Sequence, residues 1–116
     1  MSNQRQKVVC VSLAAFAAVC LPATAATRDK ANNQDNLNLS SSWLVSAPGS
    51  SDIAQWTNTV TGANATLLGA DRSWLGIKIV NPGGAVSIAG TNTLTLGGGV
   101  DMTLATQNLT LGCGLT

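Results

Sequence analysis

Side chains that could support catalysis are few in this 116-residue chain. It contains no His, so neither a Ser-His-Asp nor a Cys-His nucleophile can be assembled. Cys113 is the one Cys outside an N-terminal segment that we expect to be removed. A zinc or haem site therefore has no ligand set, because the chain has no His and would keep a single Cys. The sequence therefore favours a protein that is not an enzyme and that holds no metal or small-molecule cofactor.

The acidic residues are all Asp and lie far apart in the sequence. Asp71 beside Arg72 could serve a polysaccharide lyase, in which carboxylates bind Ca²⁺ and a basic residue abstracts a proton, although a solvated turn explains the pair more simply. A glycoside hydrolase would need two carboxylates within about 5–9.5 Å. We expect an enzyme only if Asp71, Asp101 and Lys78 meet in one cleft.

Three tryptophans are the candidate ligand-binding residues: Trp43, Trp56 and Trp74. On an extracellular β protein, exposed indole rings can stack on sugars. Alternatively, Trp43 and Trp56 cover the apolar end of a stack of strands as part of a cap. The sequence leaves both interpretations open.

The run Gly97-Gly98-Gly99-Val100-Asp101-Met102 is similar to a calcium-binding nonapeptide, but it carries Val100 where that motif needs Gly. The motif binds calcium only when it is stacked in several copies, and it occurs once here. We therefore exclude it. Cys113 is expected to fill a small inward or turn position as a weak hydrophobe, with a reactive thiol as the alternative.

The N-terminal segment has the composition of a secretory signal peptide. Residues 1–7 carry two basic side chains, residues 8–21 are uncharged and mostly apolar, and Pro22 is followed by small residues. About 14 apolar residues are too few for a transmembrane span, which needs about 20. A helical signal peptide over residues 1–26 is predicted, with cleavage after Ala25 or Ala26 and export through the secretion machinery.

An uncleaved anchor and a lipoprotein modified at Cys20 are the alternatives, and Val19 disfavours the second because a small residue is required there. The whole chain has a formal charge of +1. After cleavage, four basic residues face five Asp, which gives about −1. Neither balance favours nucleic acid or anionic lipid as a partner.

The elements that would position these residues are short strands. Apolar residues alternate with polar ones from residue 77 to the end, in pairs separated by Gly, Pro, Asn and Thr. Val100 lies 23 positions after Ile77, and Leu109 lies 23 positions after Val86. A period of about 23 residues with three strands predicts an all-β fold, a parallel β-solenoid. We expect a flexible lead-in (27–36), an N-terminal cap with first strands (37–76) and about two coils (77–116).

The last coil is expected to be incomplete. Continuing the period places the next strand pair near position 117, beyond Thr116. Two coils are also fewer than the three repeats that solenoids usually need. We therefore expect a fragment, a truncated reading frame or a module that needs a partner. If the chain is truncated, its expected partner is the continuation of its own repeat array.

One stretch of the chain resembles the N-terminal part of autotransporter-associated β-strand repeat proteins. The residues that carry the resemblance are Trp43, Pro48-Gly49, Asp52-Ile53-Ala54, Trp56, Leu68-Gly69-Ala70-Asp71, Ser73-Trp74, Gly76-Ile77, Ile79, Asn81-Pro82, Gly84 and Thr93-Leu94-Thr95-Leu96-Gly97. The resemblance covers residues 37–116. It implies a right-handed parallel β-helix that is exported to the cell surface, the outer membrane or the medium.

The resemblance also implies a structural or adhesive passenger module, non-catalytic, of a bacterial repeat protein, with a surface glycan or protein as ligand. Two alternatives remain open from the residues: a polysaccharide-processing β-helix enzyme domain and a small carbohydrate-binding β-sandwich. Parallel, in-register pairing of Leu94 with the next coil would exclude the sandwich.

Overall fold

The computed structural model describes residues 25–116 in full. Upstream it gives only the backbone of two short strands, β1 (Cys10–Leu13) and β2 (Ala17–Val19), which pair antiparallel. The helical signal peptide expected over residues 1–26 falls almost wholly outside the fully described residues and stays a prediction. Among the residues described, no helix is long and apolar enough to cross a membrane.

From residue 26 the chain forms a parallel β-solenoid of about four coils. We number them coil 1 (26–51), coil 2 (52–75), coil 3 (76–99) and coil 4 (100–116). The elements are β3 (Ala26–Asp29), a 3-10 helix (Ser40–Ser42), β4 (Asp52–Trp56), β5 (Asn64–Leu67), β6 (Arg72–Trp74), β7 (Gly76–Ile79), β8 (Val86–Ala89), β9 (Thr93–Leu96), β10 (Val100–Asp101), β11 (Leu109–Leu111) and β12 (Gly114–Leu115).

The strands stack into three parallel sheets that run along the solenoid axis. Sheet I has the order β10-β7-β4-β3, sheet II has β11-β8-β5, and sheet III has β12-β9-β6. Coils 2, 3 and 4 give one strand to each sheet, whereas coil 1 gives only β3. The prediction of an all-β parallel solenoid is confirmed, and its form is compatible with a right-handed β-helix.

The predicted 23-residue register is confirmed in sheets I and II. Val100 pairs with Ile77, and Leu109 pairs with Val86. In sheet III, Leu115 pairs with Leu94 in parallel. This pairing excludes the β-sandwich alternative, because facing sheets of a sandwich do not stack successive strands in register along one axis.

Alternation along each strand separates the core from the surface. Leu94 is fully buried and its neighbour Thr95 is exposed, because successive side chains of a strand point to opposite faces. Each aliphatic side chain buried in this way contributes roughly 1.5–3 kcal/mol to folding. The buried apolar residues form one core: Leu37, Trp43, Ala54, Trp56, Val60, Leu68, Trp74, Ile77, Ile79, Val86, Ile88 and Leu94.

The prediction of about two coils was wrong in number. Coil 2, which lies within the region expected to hold the cap and the first strands (37–76), is a full coil of β4, β5 and β6. Its interior holds Trp56 and Trp74 together with the polar Asn64 and Thr66, all buried. Indole rings and polar side chains give no alternating aliphatic pattern, so the sequence period is hidden there.

The final coil also differs from expectation. The strand expected near position 117 is β12, at Gly114–Leu115. Thr93 pairs with Gly114, only 21 positions later, because the corner between sheets II and III is shorter in coil 4 than in the predicted period.

The segment 27–36 does not lie outside the solenoid as a flexible lead-in. β3 begins at Ala26 and pairs in parallel with β4, from Ala26 opposite Asp52 to Asp29 opposite Gln55. Lys30, the next residue, is fully buried. The segment looked like a linker because its inward side chains are charged rather than apolar.

Close backbone contacts between coils need glycine at the corner before β8. A Cβ atom on Gly83 would overlap the carbonyl of Thr61, and one on Gly84 would overlap the backbone of Ala63. Asn81, in the same corner, accepts a hydrogen bond from the N–H of Asn58 at 3.0 Å. The Asn-Pro-Gly-Gly sequence of residues 81–84 therefore allows this corner to pack directly against the backbone of coil 2.

Candidate interaction surface

The three tryptophans pack against each other inside the N-terminal half of the solenoid. Trp43 contacts Trp56 and Trp74 edge to face, with ring centroids 5.5 Å and 5.8 Å apart. All three side chains are at most 4% exposed. Their faces are covered by neighbouring side chains and present no stacking surface to a sugar in solvent. All three belong to the buried core. This burial agrees with the expectation that Trp43 and Trp56 cover apolar surface and not with a sugar platform.

Two of the three indoles have a hydrogen-bond acceptor. The indole N–H of Trp43 donates to the carbonyl of Leu37 at 2.9 Å, and that of Trp56 donates to Asn64 Oδ1 at 2.9 Å. The indole N–H of Trp74 is buried and has no partner among the described residues. The aromatic cluster therefore depends on residues of both coil 1 and coil 2.

Asp71 and Arg72 do not form a pair that faces one site. Arg72 points into the solenoid, where its guanidinium donates to the carbonyl of Pro48 at 3.0 Å. Asp71 points outward and accepts from the N–H of Thr93 at 2.9 Å. The two side chains tie coil 2 to different neighbouring coils, and this accounts for them structurally.

Lys78 and Asp101 do meet on the outer face of sheet I. They are register partners in β7 and β10, and both line a groove of about 280 Å³. The residues that line the groove are Ile53, Leu75, Gly76, Ile77, Lys78, Gly98, Gly99, Val100 and Asp101. Asp71 does not line this groove. The three-residue cluster that would favour a polysaccharide-processing enzyme is therefore not brought together here.

Carboxylates and thiols do not gather elsewhere in the described part of the chain. Across residues 25–116, no group of three or more Asp and Cys side chains is placed to hold a metal ion. Cys113 is half-buried and packs against the core in coil 4, as expected for a weak hydrophobe.

The N-terminal end of the solenoid is closed by polar groups that point inward. The ammonium group of Lys30 donates to the carbonyl of Asn33 at 2.7 Å, to Asn33 Oδ1 at 3.1 Å and to the carbonyl of Ala31 at 3.1 Å. The carbonyl of Asn33 also accepts from Asn64 Nδ2 at 2.8 Å, and Asn64 in turn accepts from Trp56. A connected network thus joins the first coil to the core of the second.

Burial of the Lys30 ammonium group lowers its pKa to about 8, and the charge of Asp35 opposes this shift. Three backbone and side-chain oxygens compensate for the lost hydration of the cation. Lys30 is the residue after β3 and lies two positions after Arg28, whose side chain points inward from that strand. This two-residue alternation is the sequence signal that could have identified Lys30. The apolar pattern alone did not reveal it.

Coil 1 also folds back over its own free edge. The N–H of Leu44 donates to the carbonyl of Asp29 at 2.9 Å, and the N–H of Ala31 donates to the carbonyl of Ser42 at 2.9 Å. Leu37, fully buried, donates its N–H to the carbonyl of Leu67 at the edge of sheet II. Inward-pointing charges and a covered edge are devices that prevent strands from pairing with another chain.

The C-terminal end of the solenoid is built differently. β10, β11 and β12 are the last strands of the three sheets, and their outer edges pair with no other described strand. Four large apolar side chains of this coil are exposed: Val100, Met102, Leu104 and Leu115. Leu109 and Leu111, which face inward, are only half-buried. We call this surface of coil 4 the C-terminal end face.

The C-terminal end face offers a partner two kinds of contact. Its three edges present backbone N–H and C=O groups in the spacing of parallel strands. Its interior presents apolar side chains at the positions that Ile77, Val86 and Leu94 occupy one coil below. Exposed apolar surface of this kind, beside open strand edges, is typical of an interaction site.

Comparison of the chain with protein-family models, with curated proteins and with solved structures found no match.

Proposed function

We propose that this chain is a non-catalytic structural module of an exported bacterial repeat protein, of the adhesive passenger type, and that its C-terminal end face carries a further β-solenoid coil. The single observation behind this proposal is the difference between the two ends. Coil 1 closes the N-terminal end with buried polar groups, whereas no described residue covers the three strand edges and the apolar interior of coil 4.

The proposed mechanism is axial stacking. A further coil would pair its strands with β10, β11 and β12 and would cover Val100 and Leu115. Backbone hydrogen bonds and apolar burial would then continue along the axis, as they do between coils 2 and 3. The outward Thr, Ser and Asn side chains would form the sides of the module and would be the contact surface for a surface glycan or protein.

The test adds one coil to the chain. A second copy of residues 96–116 is fused after Thr116, so that the copied Leu96 follows Thr116 as Leu96 itself follows Thr95. A matched control carries the same added copy, but within that copy each apolar strand residue is exchanged with its polar neighbour, for example Leu109 with Thr110. The exchange keeps the composition and turns the apolar side chains outward. The copied Asp101 is Asn in both proteins.

We expect the fused coil to raise the thermal unfolding midpoint above that of the control and of the unextended chain. We also expect it to slow alkylation of Cys113, measured with Ser at Cys10, Cys20 and the copied Cys113. Equal midpoints and equal alkylation rates for the two fusions would show that the end face does not accept a coil.

The second part of the proposal is export after removal of the signal peptide. The position of β3 distinguishes the two expected cleavage positions, after Ala25 and after Ala26. Cleavage after Ala25 leaves β3 whole, whereas cleavage after Ala26 removes the residue that pairs with Asp52. We therefore expect the exported protein to begin at Ala26. Mass spectrometry of the protein recovered from the periplasm or medium of a bacterial host tests this, and recovery of only the full-length chain from the cytoplasm would argue against export.

A further inference from the structure

We infer that the coil seated on the C-terminal end face carries a Lys or Arg side chain beside Asp101, and that this charge distinguishes it from a second copy of this chain. The inference rests on the proposed function and adds the chemistry by which the end face selects its partner.

One column of outward side chains on sheet I supplies the argument. Asp29 pairs with Gln55, Gln55 pairs with Lys78, and Lys78 pairs with Asp101, so the four residues follow each other from coil 1 to coil 4. Gln55 Nε2 donates to Asp29 Oδ1 at 2.7 Å. Each carboxylate of the column thus has a hydrogen-bond donor or a cation as its neighbour within the sheet.

Asp101 is the end of this column and lies on the open edge strand β10. On one side it has Lys78, and its Oδ1 atom accepts from the N–H of Thr103 at 3.0 Å and from the hydroxyl of Thr103 at 2.7 Å. These hydrogen bonds, together with the charge of Lys78, lower the pKa of Asp101, so the carboxylate is ionised at neutral pH. On its other side, no described strand supplies a partner.

A strand added to β10 would place its outward side chain about 4.8 Å from Asp101. An opposite charge at that position stabilises the pairing, and a like charge opposes it. A second copy of this chain could bring Asp29, the first residue of the same column, to this position only if residues 42–44 were displaced from the edge of β3. Two carboxylates would then lie opposite each other. The covered edge and the like charges together disfavour self-assembly into a fibre.

The experiment uses the fused coil described above, the copy of residues 96–116, in three versions. They differ only in the copied residue that corresponds to Asp101, which is Lys, Asn or Asp. We expect the order of unfolding midpoints to be Lys above Asn above Asp, with steps of about 2–6 °C. The differences should shrink in 1 M salt, because exposed charges are screened there.

Equal midpoints for the three versions, all above the outward-facing control, would overturn this inference and leave the proposed function intact. Midpoints no higher than the control for any version would overturn the proposed function itself. Sedimentation of the wild-type chain completes the test: we expect a monomer. Concentration-dependent end-to-end oligomers of the wild-type chain would make a second copy an occupant of the end face and would overturn the discrimination proposed here.

Discussion

The indole N–H of Trp56 donates to Asn64 Oδ1 at 2.9 Å inside coil 2, and the same side chain of Asn64 donates to the carbonyl of Asn33 in coil 1 at 2.8 Å. Asn64 is almost fully buried. A single amide therefore connects the aromatic cluster to the coil that closes the N-terminal end. The stability of the module depends on buried polar contacts as well as on apolar ones.

Replacing Trp56 with Phe is expected to destabilise the protein more than replacing Trp74 with Phe. Trp56→Phe leaves the buried Asn64 oxygen without its donor, which costs about 1–3 kcal/mol beyond the loss of ring volume. Trp74→Phe removes an N–H that has no partner among the described residues. Urea unfolding of the two variants measures the difference, and a larger loss for Trp74→Phe would contradict the hydrogen-bond assignment.

Removing the Trp43 side chain is expected to cost about 3–5 kcal/mol in the free energy of unfolding, because its ring contacts both other indoles. The next residue supplies a matched control. Leu44 is 56% exposed, so Leu44→Ala should change the stability by no more than about 0.5 kcal/mol. Denaturant unfolding followed by tryptophan fluorescence compares the two, and similar losses would mean that Trp43 is not part of the core.

Two glycines of coil 3 should respond oppositely to alanine. Gly84→Ala places a Cβ atom against the backbone of Ala63 and should cost about 1–3 kcal/mol. Gly99→Ala meets no atom within 4 Å and should be neutral or stabilising by up to about 1 kcal/mol, since alanine restricts the unfolded chain. Thermal unfolding checks both, and a neutral Gly84→Ala would show that the coils are not packed this closely.

Stability should rise with pH above 8 in a way that depends on Lys30. Its pKa is about 8 in the folded protein, below the ordinary value of 10.5. Below pH 8 both states hold the proton. Between about pH 8 and 10.5 the unfolded state binds more protons than the folded state, so the free energy of unfolding increases with pH.

The control for this prediction is Lys30→Met, which lacks the titrating group. The chain has no Tyr, and its other alkaline groups are common to both proteins. From pH 7.5 to pH 10, the free energy of unfolding of the wild type should therefore rise relative to that of Lys30→Met. A constant difference across this range would contradict the lowered pKa.

Much of the architecture follows from the sequence where the core is aliphatic. Ile77 and Val100, or Val86 and Leu109, recur at the coil period and alternate with polar neighbours, so both the fold class and the pairing of coils 3 and 4 were predictable. A parallel solenoid repeats one interior environment in every coil, and identical environments select similar side chains at a fixed spacing.

The interior of the N-terminal half could not be predicted from the sequence, because it depends on tertiary contacts. Lys30, Asn64 and the tryptophans fill the same interior positions with charge, amide and indole, and only the folded chain brings their donors and acceptors together. The sequence therefore suggested a flexible lead-in where the structure has β3 and the buried Lys30, and it left a sugar-binding platform open beside a cap for tryptophans that the structure buries. The candidate site depends on the same distinction. Alternation predicts the apolar interior of coil 4, but the stacking of the strands determines that no described strand covers its edges and that Asp101 ends a column of polar and charged side chains.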